Sequence, residues 1–137
     1  MFRPSGVIPA MVTPFTDDGK GVDEERLRNL VNHFIGLGVT GLVPCGTTGE
    51  FQNLSEQEQR CVVEVTIDAA KGRVPVIAGT GWSGTDLAIA RAKHAKDVGA
   101  DAAIIVTPYY HKPANRGIYE HYRKIAEAVD IPIIIYN

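Results

Sequence analysis

Short apolar runs alternate with helical patterns along this chain. The runs show no alternation of apolar and polar positions, which is typical of strands that are covered on both faces. They predict five strands, at residues 7–12, 41–44, 74–78, 102–106 and 131–136. Because a helical pattern follows each of the first four runs, the chain predicts a parallel sheet with helical crossovers.

The first two helices carry recognisable end signals. The first is predicted from about Glu24, and Gly36 and Gly38 close it. Its apolar residues fall at helical spacing: Leu27, Leu30, Val31, Phe34 and Ile35. The second helix opens at Ser55, where Glu58 three residues later predicts a capping box.

Two further helices separate the last three runs. The third is predicted to start near Ser83, with Asp86 three residues later, and to end at Gly99. The fourth carries apolar and aromatic residues at helical spacing: Ile118, Tyr122, Ile125, Ala126 and Val129. No linker or low-complexity stretch divides the chain, so residues 1–137 are predicted to form a single domain.

Two α/β architectures fit this order of elements. One is a doubly wound sheet, which would be complete at this length. The other is a (β/α)₈ barrel, which needs about 250 residues, so that this chain would supply about the first five strands. Periodicity alone does not choose between them.

Composition excludes several classes of function. The net charge is −2 and only 22% of the 137 residues are charged, so nothing favours nucleic acid or an anionic membrane as a partner. No apolar run approaches the roughly 20 residues of a membrane helix, and the first residues lack the apolar stretch of a secretory signal. We therefore expect a cytoplasmic protein.

The two cysteines, Cys45 and Cys61, form neither a disulfide framework nor a C-x-x-C pair. A small buried side chain is the favoured interpretation of Cys45, and a reactive thiol is the alternative. The four histidines show no metal-ligand spacing and are interpreted as surface or packing residues: His33, His94, His111 and His121.

The segment 43–50 carries the most chemical information. A short apolar run ends there in two glycines, Gly46 and Gly49, that bracket Thr47 and Thr48. Two hydroxyls and free backbone N–H groups at the carboxyl end of a strand predict a small anion pocket, suited to a carboxylate or a phosphate. A tight strand-to-loop turn with capping threonines is the alternative.

Hydroxyl side chains follow three of the predicted strands. Thr47 follows the second, Tyr110 follows the fourth, and Tyr136 ends the fifth. The carboxyl ends of parallel strands share one edge of a sheet, so these hydroxyls could form a proton relay. For Tyr110 and its neighbour Tyr109, a packing or interface role is the alternative.

Residues 79–84 match the pattern G-x-G-x-x-G between a strand and a helix, which suggests a dinucleotide-binding oxidoreductase. The pattern follows the third strand rather than the first, and the bulky Trp82 lies inside it. The next strand ends at Thr107, without the acidic residue that would bind a ribose hydroxyl. Hydride transfer therefore stays a minor alternative.

These motifs together resemble one family. The segments GVIPAMVTPF, GTTGE, PVIAGTG and TPYYHKP and the closing IYN occur in the order and spacing of the dihydrodipicolinate synthase family, within the N-acetylneuraminate lyase superfamily of class I pyruvate aldolases. The resemblance covers the whole chain. It implies the N-terminal portion of a (β/α)₈ barrel rather than a doubly wound sheet.

The resemblance also implies a reaction. Pyruvate would form a Schiff base with a lysine, and the derived enamine would attack aspartate 4-semialdehyde to give 4-hydroxy-tetrahydrodipicolinate, in lysine and diaminopimelate biosynthesis. No metal or organic cofactor is implied. The implied partners are pyruvate, a small aldehyde and further copies of the chain in a dimer or tetramer.

Site residues follow from the resemblance as well. Thr48, with the backbone around Gly46, would hold the pyruvate carboxylate. Thr47 would link two tyrosines, of which Tyr136 would move protons at the Schiff base. Tyr110 would reach into the site of a neighbouring subunit.

The Schiff-base lysine itself is missing from this pattern. All six lysines fall in predicted loops or on helices: Lys20, Lys71, Lys93, Lys96, Lys112 and Lys124. The family places its lysine on a sixth strand, so we expect this chain to be part of a longer enzyme and to be inactive alone. A related aldolase for a sugar acid or a hydroxy-oxo acid and a non-catalytic interaction subunit are the remaining alternatives.

Overall fold

Four helices and three strands make up the regular elements of the computed structural model, which describes residues 3–137; residues 1 and 2 of the predicted domain lie outside the described residues. The elements are α1 (Glu24–Gly36), α2 (Glu56–Ala70), β1 (Ile77–Gly79), α3 (Thr85–Asp97), β2 (Ala102–Val106), α4 (Asn115–Ala128) and β3 (Ile133–Tyr136).

The three strands form a parallel sheet in sequential order, β1-β2-β3. Gly79 is the register partner of Ile104, and Val106 that of Tyr136, so the carboxyl ends of the strands lie side by side. The predicted parallel α/β organisation is confirmed.

The prediction of regular strands at residues 7–12 and 41–44 is wrong. Their residues form isolated parallel bridges instead: Ala10 with Val43, and Leu42 with Val76. Prolines, which lack an N–H donor, interrupt these segments at Pro9 and Pro44, and Pro75 precedes the bridge residue Val76 on the neighbouring segment. Their carbonyls still accept hydrogen bonds, as when the Val43 N–H donates to Pro9 O (3.0 Å). Residues 40–44 therefore extend the sheet beside β1 as an irregular segment, and residues 7–11 extend it further beside residues 40–44.

Element limits differ elsewhere by a few residues. β1 begins at Ile77 rather than at residue 74, and β3 at Ile133 rather than at residue 131. The capping box of α2 is confirmed, because the Ser55 N–H donates to Glu58 Oε2 (2.8 Å). No such cap forms at Ser83: α3 begins after Gly84, which has no side chain to accept a bond.

Side chains from the sheet alternate between two environments. Leu42, Val76 and Ala78 pack outward with α1 and α2, and Ala103 and Ile105 pack outward with α3 and α4. On the opposite face, Val43, Ile77 and Ala102 form a small apolar cluster, and none of the hydrophobic residues within 3–137 that pack against it belongs to a helix. The helices lie on one face of the sheet, since each contacts the next along the chain. No helix within residues 3–137 is both long and apolar enough to cross a membrane.

One buried histidine lies between α3 and α4. His121 is 3% exposed, and its Nδ1 lies 3.0 Å from Thr85 Oγ1. Its Nε2 has no hydrogen-bond partner among residues 3–137. Burial lowers the pKa of His121, because the charged imidazolium is poorly solvated there.

This histidine predicts a loss of stability in mild acid. The unfolded chain takes up a proton at His121 near its ordinary pKa of about 6.5, whereas the folded chain resists it. The stabilisation is therefore complete above that pH and is lost as the pH falls through the lower folded-state pKa. Thermal unfolding between pH 7.5 and pH 5 should show a smaller acid-induced loss in His121→Gln than in the wild type. His33→Gln is the control, because His33 is exposed. If both variants lose as much thermal stability in acid as the wild type does, the prediction is contradicted.

Candidate functional site

A cavity of about 250 Å³ opens on the helix-free face of the sheet, at the carboxyl ends of the parallel segments. Aliphatic side chains form its floor and walls: Ile8, Ala10, Val43, Ile104 and Val106. The other lining residues come from the strand ends and the segments that follow them: Cys45, Gly46, Thr47, Thr48, Phe51, Gly79, Gly81 and Tyr136. The cavity is thus an apolar pocket to which three hydroxyl side chains contribute, those of Thr47, Thr48 and Tyr136.

The structure brings four of the five predicted site residues to this cavity. Gly46, Thr47 and Thr48 line it from the turn after residues 40–44, and Tyr136 lines it from the end of β3. Tyr110 does not line it. Its side chain is 94% exposed, so within one chain it does not join Thr47 and Tyr136 at the cavity.

The threonine turn has a closely defined backbone. The Gly49 N–H donates to Gly46 O (3.1 Å), and the Glu50 N–H donates to Thr47 O (3.0 Å). Neither the Thr47 N–H nor the Thr48 N–H donates a backbone bond among residues 3–137. Free N–H groups beside two exposed hydroxyls are the donors that a carboxylate needs.

Cys45 precedes this turn and is only 2% exposed. Burial raises the pKa of its thiol to about 12, so the thiolate is absent near neutral pH. The interpretation of Cys45 as a small buried side chain is confirmed, because its thiol stays protonated near neutral pH.

The two tyrosines of the loop after β2 have separate environments. Tyr109 packs edge-on against Phe51 and Trp82, with ring centroids 5.8 and 6.1 Å away. Burial raises the pKa of Tyr109, although Arg91 and a hydrogen bond with Ser83 oppose the shift. Tyr109 is therefore a neutral packing residue behind the cavity wall, whereas Tyr110 is free at the surface.

Arg91 lies over this aromatic cluster, with its guanidinium carbon 3.9 Å from the Trp82 ring centroid. Burial lowers the pKa of Arg91, and the nearby Tyr109 and Glu56 oppose that shift. An arginine stacked on a tryptophan face contributes a cation–π interaction. This contact lies outside the cavity and stabilises α3 against the loop at residues 79–84.

The glycines of that loop serve close packing. A Cβ at Gly81 would meet Val106 Cγ1 at 2.7 Å, and a Cβ at Gly79 would overlap the Cys45 carbonyl. Trp82 fills the loop against Phe51 at 6.3 Å. The first two glycines of the G-x-G-x-x-G pattern, Gly79 and Gly81, are thus explained by contacts between strand ends, without a nucleotide.

Charged and metal-binding groups are sparse at the cavity. None of the six lysines lines it, and all six are exposed. Within residues 3–137, no group of three histidine, cysteine or acidic side chains is arranged to hold a metal ion. The cavity's chemistry therefore rests on hydroxyl and backbone groups.

The sequence pattern did not single out two buried polar residues beneath the threonine turn, Thr13 and Gln59. Each donates a hydrogen bond to a carbonyl of this segment. A signal was available for Gln59, since it lies three and four residues before Val62 and Val63 on the buried face of α2. A polar residue on an apolar face indicates an internal hydrogen-bond partner.

A model of the Dihydrodipicolinate synthetase family matches residues 3–137. The 4-hydroxy-tetrahydrodipicolinate synthase of Methanopyrus kandleri is 53% identical over 136 residues, which are 99% of this chain and 45% of the relative. This chain therefore spans about half the length of the curated relatives it matches.

Solved structures agree with this match. The chloride-inhibited dihydrodipicolinate synthase of Acinetobacter baumannii, complexed with pyruvate, is 51% identical with a TM-score of 0.93, over 96% of this chain and 45% of that one. The N-acetylneuraminate lyase of Mycoplasma synoviae is 37% identical with a TM-score of 0.91, over 96% and 46%. Together with the match over residues 3–137, these similarities mean that the chain belongs to the Dihydrodipicolinate synthetase family.

Proposed function

We propose that this chain forms the pyruvate-binding portion of a 4-hydroxy-tetrahydrodipicolinate synthase. The whole enzyme would condense pyruvate with aspartate 4-semialdehyde through a Schiff base. The observation that carries the proposal is the cavity in which Gly46, Thr47 and Thr48 meet Tyr136 at the carboxyl ends of parallel strands.

The architecture proposed for the whole enzyme is a (β/α)₈ barrel, of which this chain supplies about the first five strands. Sequential strand order with helices on one face is the winding that a barrel needs. Apolar side chains are exposed near both outer edges of the sheet, with Val7 69% and Ile135 62% exposed. These edges would be covered when the barrel closes.

The proposed first step is binding of the pyruvate carboxylate at the threonine turn. The Thr48 hydroxyl and the N–H groups of Thr47 and Thr48 would donate hydrogen bonds to its oxygens. The methyl and carbonyl carbons would then lie over the aliphatic floor, where exclusion of water strengthens these bonds. A neutral cavity suits pyruvate, because its single negative charge is matched by oriented donors rather than by a buried cation.

The proposed second step is proton transfer. The lysine amine adds to the keto carbon, water leaves as the Schiff base forms, and a methyl proton is lost to give the enamine. The Tyr136 hydroxyl, at the end of β3, would move protons at these stages, with Thr47 as its hydrogen-bond partner. Tyr110, exposed on the surface, would complete the relay in the site of a neighbouring copy, which makes the enzyme a homo-oligomer.

None of the lysines in this chain is placed to form the Schiff base. A nucleophilic amine needs burial or a neighbouring cation to lose its proton near neutral pH, and these six lysines are exposed and outside the cavity. Pyruvate followed by borohydride should therefore leave the mass of this 137-residue chain unchanged. A stable adduct on a single lysine, located by peptide mapping, would contradict this prediction.

A chimera tests the function itself. This chain would be joined to the portion of the Methanopyrus kandleri synthase that lies beyond the matched segment. We expect the chimera to consume pyruvate in the presence of aspartate 4-semialdehyde. A folded chimera without turnover would favour the non-catalytic interaction subunit instead.

A second candidate function is cleavage or synthesis of a sugar acid with the same Schiff-base chemistry. The similarity to the Mycoplasma synoviae N-acetylneuraminate lyase favours it. The lower identity of that structure, 37% against 51% for the Acinetobacter baumannii synthase, places it second.

A further inference from the structure

We propose that Thr13 and Gln59 are positioning residues that set the shape of the carboxylate-binding turn. This inference rests on the proposed function, because it concerns the turn that would hold pyruvate. Neither side chain lines the cavity, and both are buried behind it. Each would act through the backbone of the turn rather than by touching the substrate.

The turn needs such support because its backbone is strained at both ends. Cys45 and Glu50 each have φ of +56°, in the left-handed region that non-glycine residues rarely adopt. Between them lie the two threonines whose N–H groups donate no backbone hydrogen bond among residues 3–137. Strained residues of this kind persist only where surrounding contacts hold them in place.

Thr13 holds the closing end of the turn. Its hydroxyl donates to the Gly49 carbonyl oxygen (2.7 Å) across 36 residues of sequence, in buried surroundings. Gly49 fits closely there, since a Cβ at this position would lie 2.9 Å from Met11 O and 3.3 Å from Thr13 Oγ1. The segment around Thr13 therefore fixes where the turn ends.

Gln59 joins both ends of the turn to α2. Its side-chain amide donates to the Phe51 carbonyl oxygen (2.6 Å), just after the turn. Its backbone carbonyl accepts a weak bond from the Cys45 thiol (3.7 Å), at the start of the turn. One residue of a well-capped helix thus contacts both flanks of the strained segment.

The turn and the two residues that support it would therefore have different roles. Thr47 and Thr48 would contact the substrate, and Thr13 and Gln59 would hold their N–H groups at the spacing of a carboxylate. Both supporting residues are uncharged, so their effect should not vary with pH. Loss of either hydrogen bond would let the strained backbone relax and misalign the donors.

Amide hydrogen exchange and pyruvate titration of the ¹⁵N-labelled chain test this proposal. In Thr13→Val, which keeps the shape but loses the hydroxyl, the Gly49 and Glu50 amides should exchange about tenfold faster, as expected when a buried hydrogen bond is lost. The apparent pyruvate Kd, from shifts of the Thr47 and Thr48 amides, should rise about fivefold or more by the same loss. Thr13→Ser, which restores the hydroxyl, should recover both values.

Two further variants complete the test. Gln59→Met keeps the side-chain length but removes the amide donor, so it should give the same faster exchange and weaker pyruvate binding. If Thr13→Val does not fold, the result for Gln59→Met decides the test. Thr66→Val is the matched control, because the buried Thr66 hydroxyl also donates to a carbonyl, that of Val62 (2.7 Å), but inside α2. It should alter neither exchange in the turn nor pyruvate affinity.

The outcomes separate this proposal from the function on which it rests. Unchanged exchange at Gly49 and Glu50 in both Thr13→Val and Gln59→Met, or equal changes in Thr66→Val, would overturn the positioning role. If pyruvate does not shift the Thr47 and Thr48 amide resonances of the wild-type chain, the proposed pyruvate binding is contradicted. The exchange data alone then decide whether Thr13 and Gln59 shape the turn.

Discussion

Replacing Gly79 by alanine should destabilise the folded chain by about 3 kcal/mol or more, at the upper end of the cost of overpacking a core. An added Cβ would overlap the carbonyl of Cys45 and lie 3.0 Å from Pro44 O, both backbone atoms of the neighbouring segment. The Gly79 N–H donates to that same Pro44 oxygen (2.9 Å), so the two segments cannot separate without losing a sheet hydrogen bond. A folded domain has only about 5–15 kcal/mol of stability in total.

Urea unfolding followed by circular dichroism measures this effect. Gly36→Ala is the matched control, because Gly36 ends α1 and a Cβ there would meet nothing within 4 Å. Alanine is the better helix former by about 1 kcal/mol, so the control should be unchanged or slightly more stable. Equal unfolding midpoints for Gly79→Ala and Gly36→Ala would mean that the strand ends can separate at little cost.

Much of the fold was predictable because local patterns and tertiary contacts agree. The capping box at Ser55 is set by residues three apart, and the apolar run that became β2 was predicted with its correct limits, 102–106. The segments at residues 7–12 and 41–44 were predicted as strands because their apolar runs are indistinguishable from those of regular strands. Prolines break their hydrogen-bond ladders, which hydrophobic pattern alone does not register.

The candidate site was predictable for those groups that lie directly at the end of a strand. Thr47 and Thr48 follow one parallel segment and Tyr136 ends another, and the carboxyl ends of this parallel sheet bring them to one cavity. The position of Tyr110 was not predictable from its strand, because φ of +74° turns it away from the sheet edge while the adjacent Tyr109 packs inward. Thr13 was not predictable because its partner is a backbone carbonyl, which carries no sequence signal, whereas Gln59 was indicated by its position on the buried face of α2.

The proton transfer proposed for Tyr136 gives the largest expected effect on activity. In the chimera with the Methanopyrus kandleri portion, Tyr136→Phe removes one hydroxyl and keeps the ring at the end of β3. If that hydroxyl moves protons during Schiff-base formation, kcat should fall about 10²- to 10³-fold, within the range for general acid–base catalysis. The KM for pyruvate should change little, because the carboxylate donors at Thr47 and Thr48 stay in place.

Tyr119→Phe is the matched control for this measurement. Tyr119 is 64% exposed on α4 and does not line the cavity, so loss of its hydroxyl should leave kcat unchanged. Thr47→Val should also lower kcat. The double variant Thr47→Val with Tyr136→Phe should have a kcat little lower than that of either single variant, because the effects of residues that act as one relay are not additive. A Tyr136→Phe chimera with kcat near that of Tyr119→Phe would remove Tyr136 from the proton path, and the cavity would then be a carboxylate-binding pocket alone.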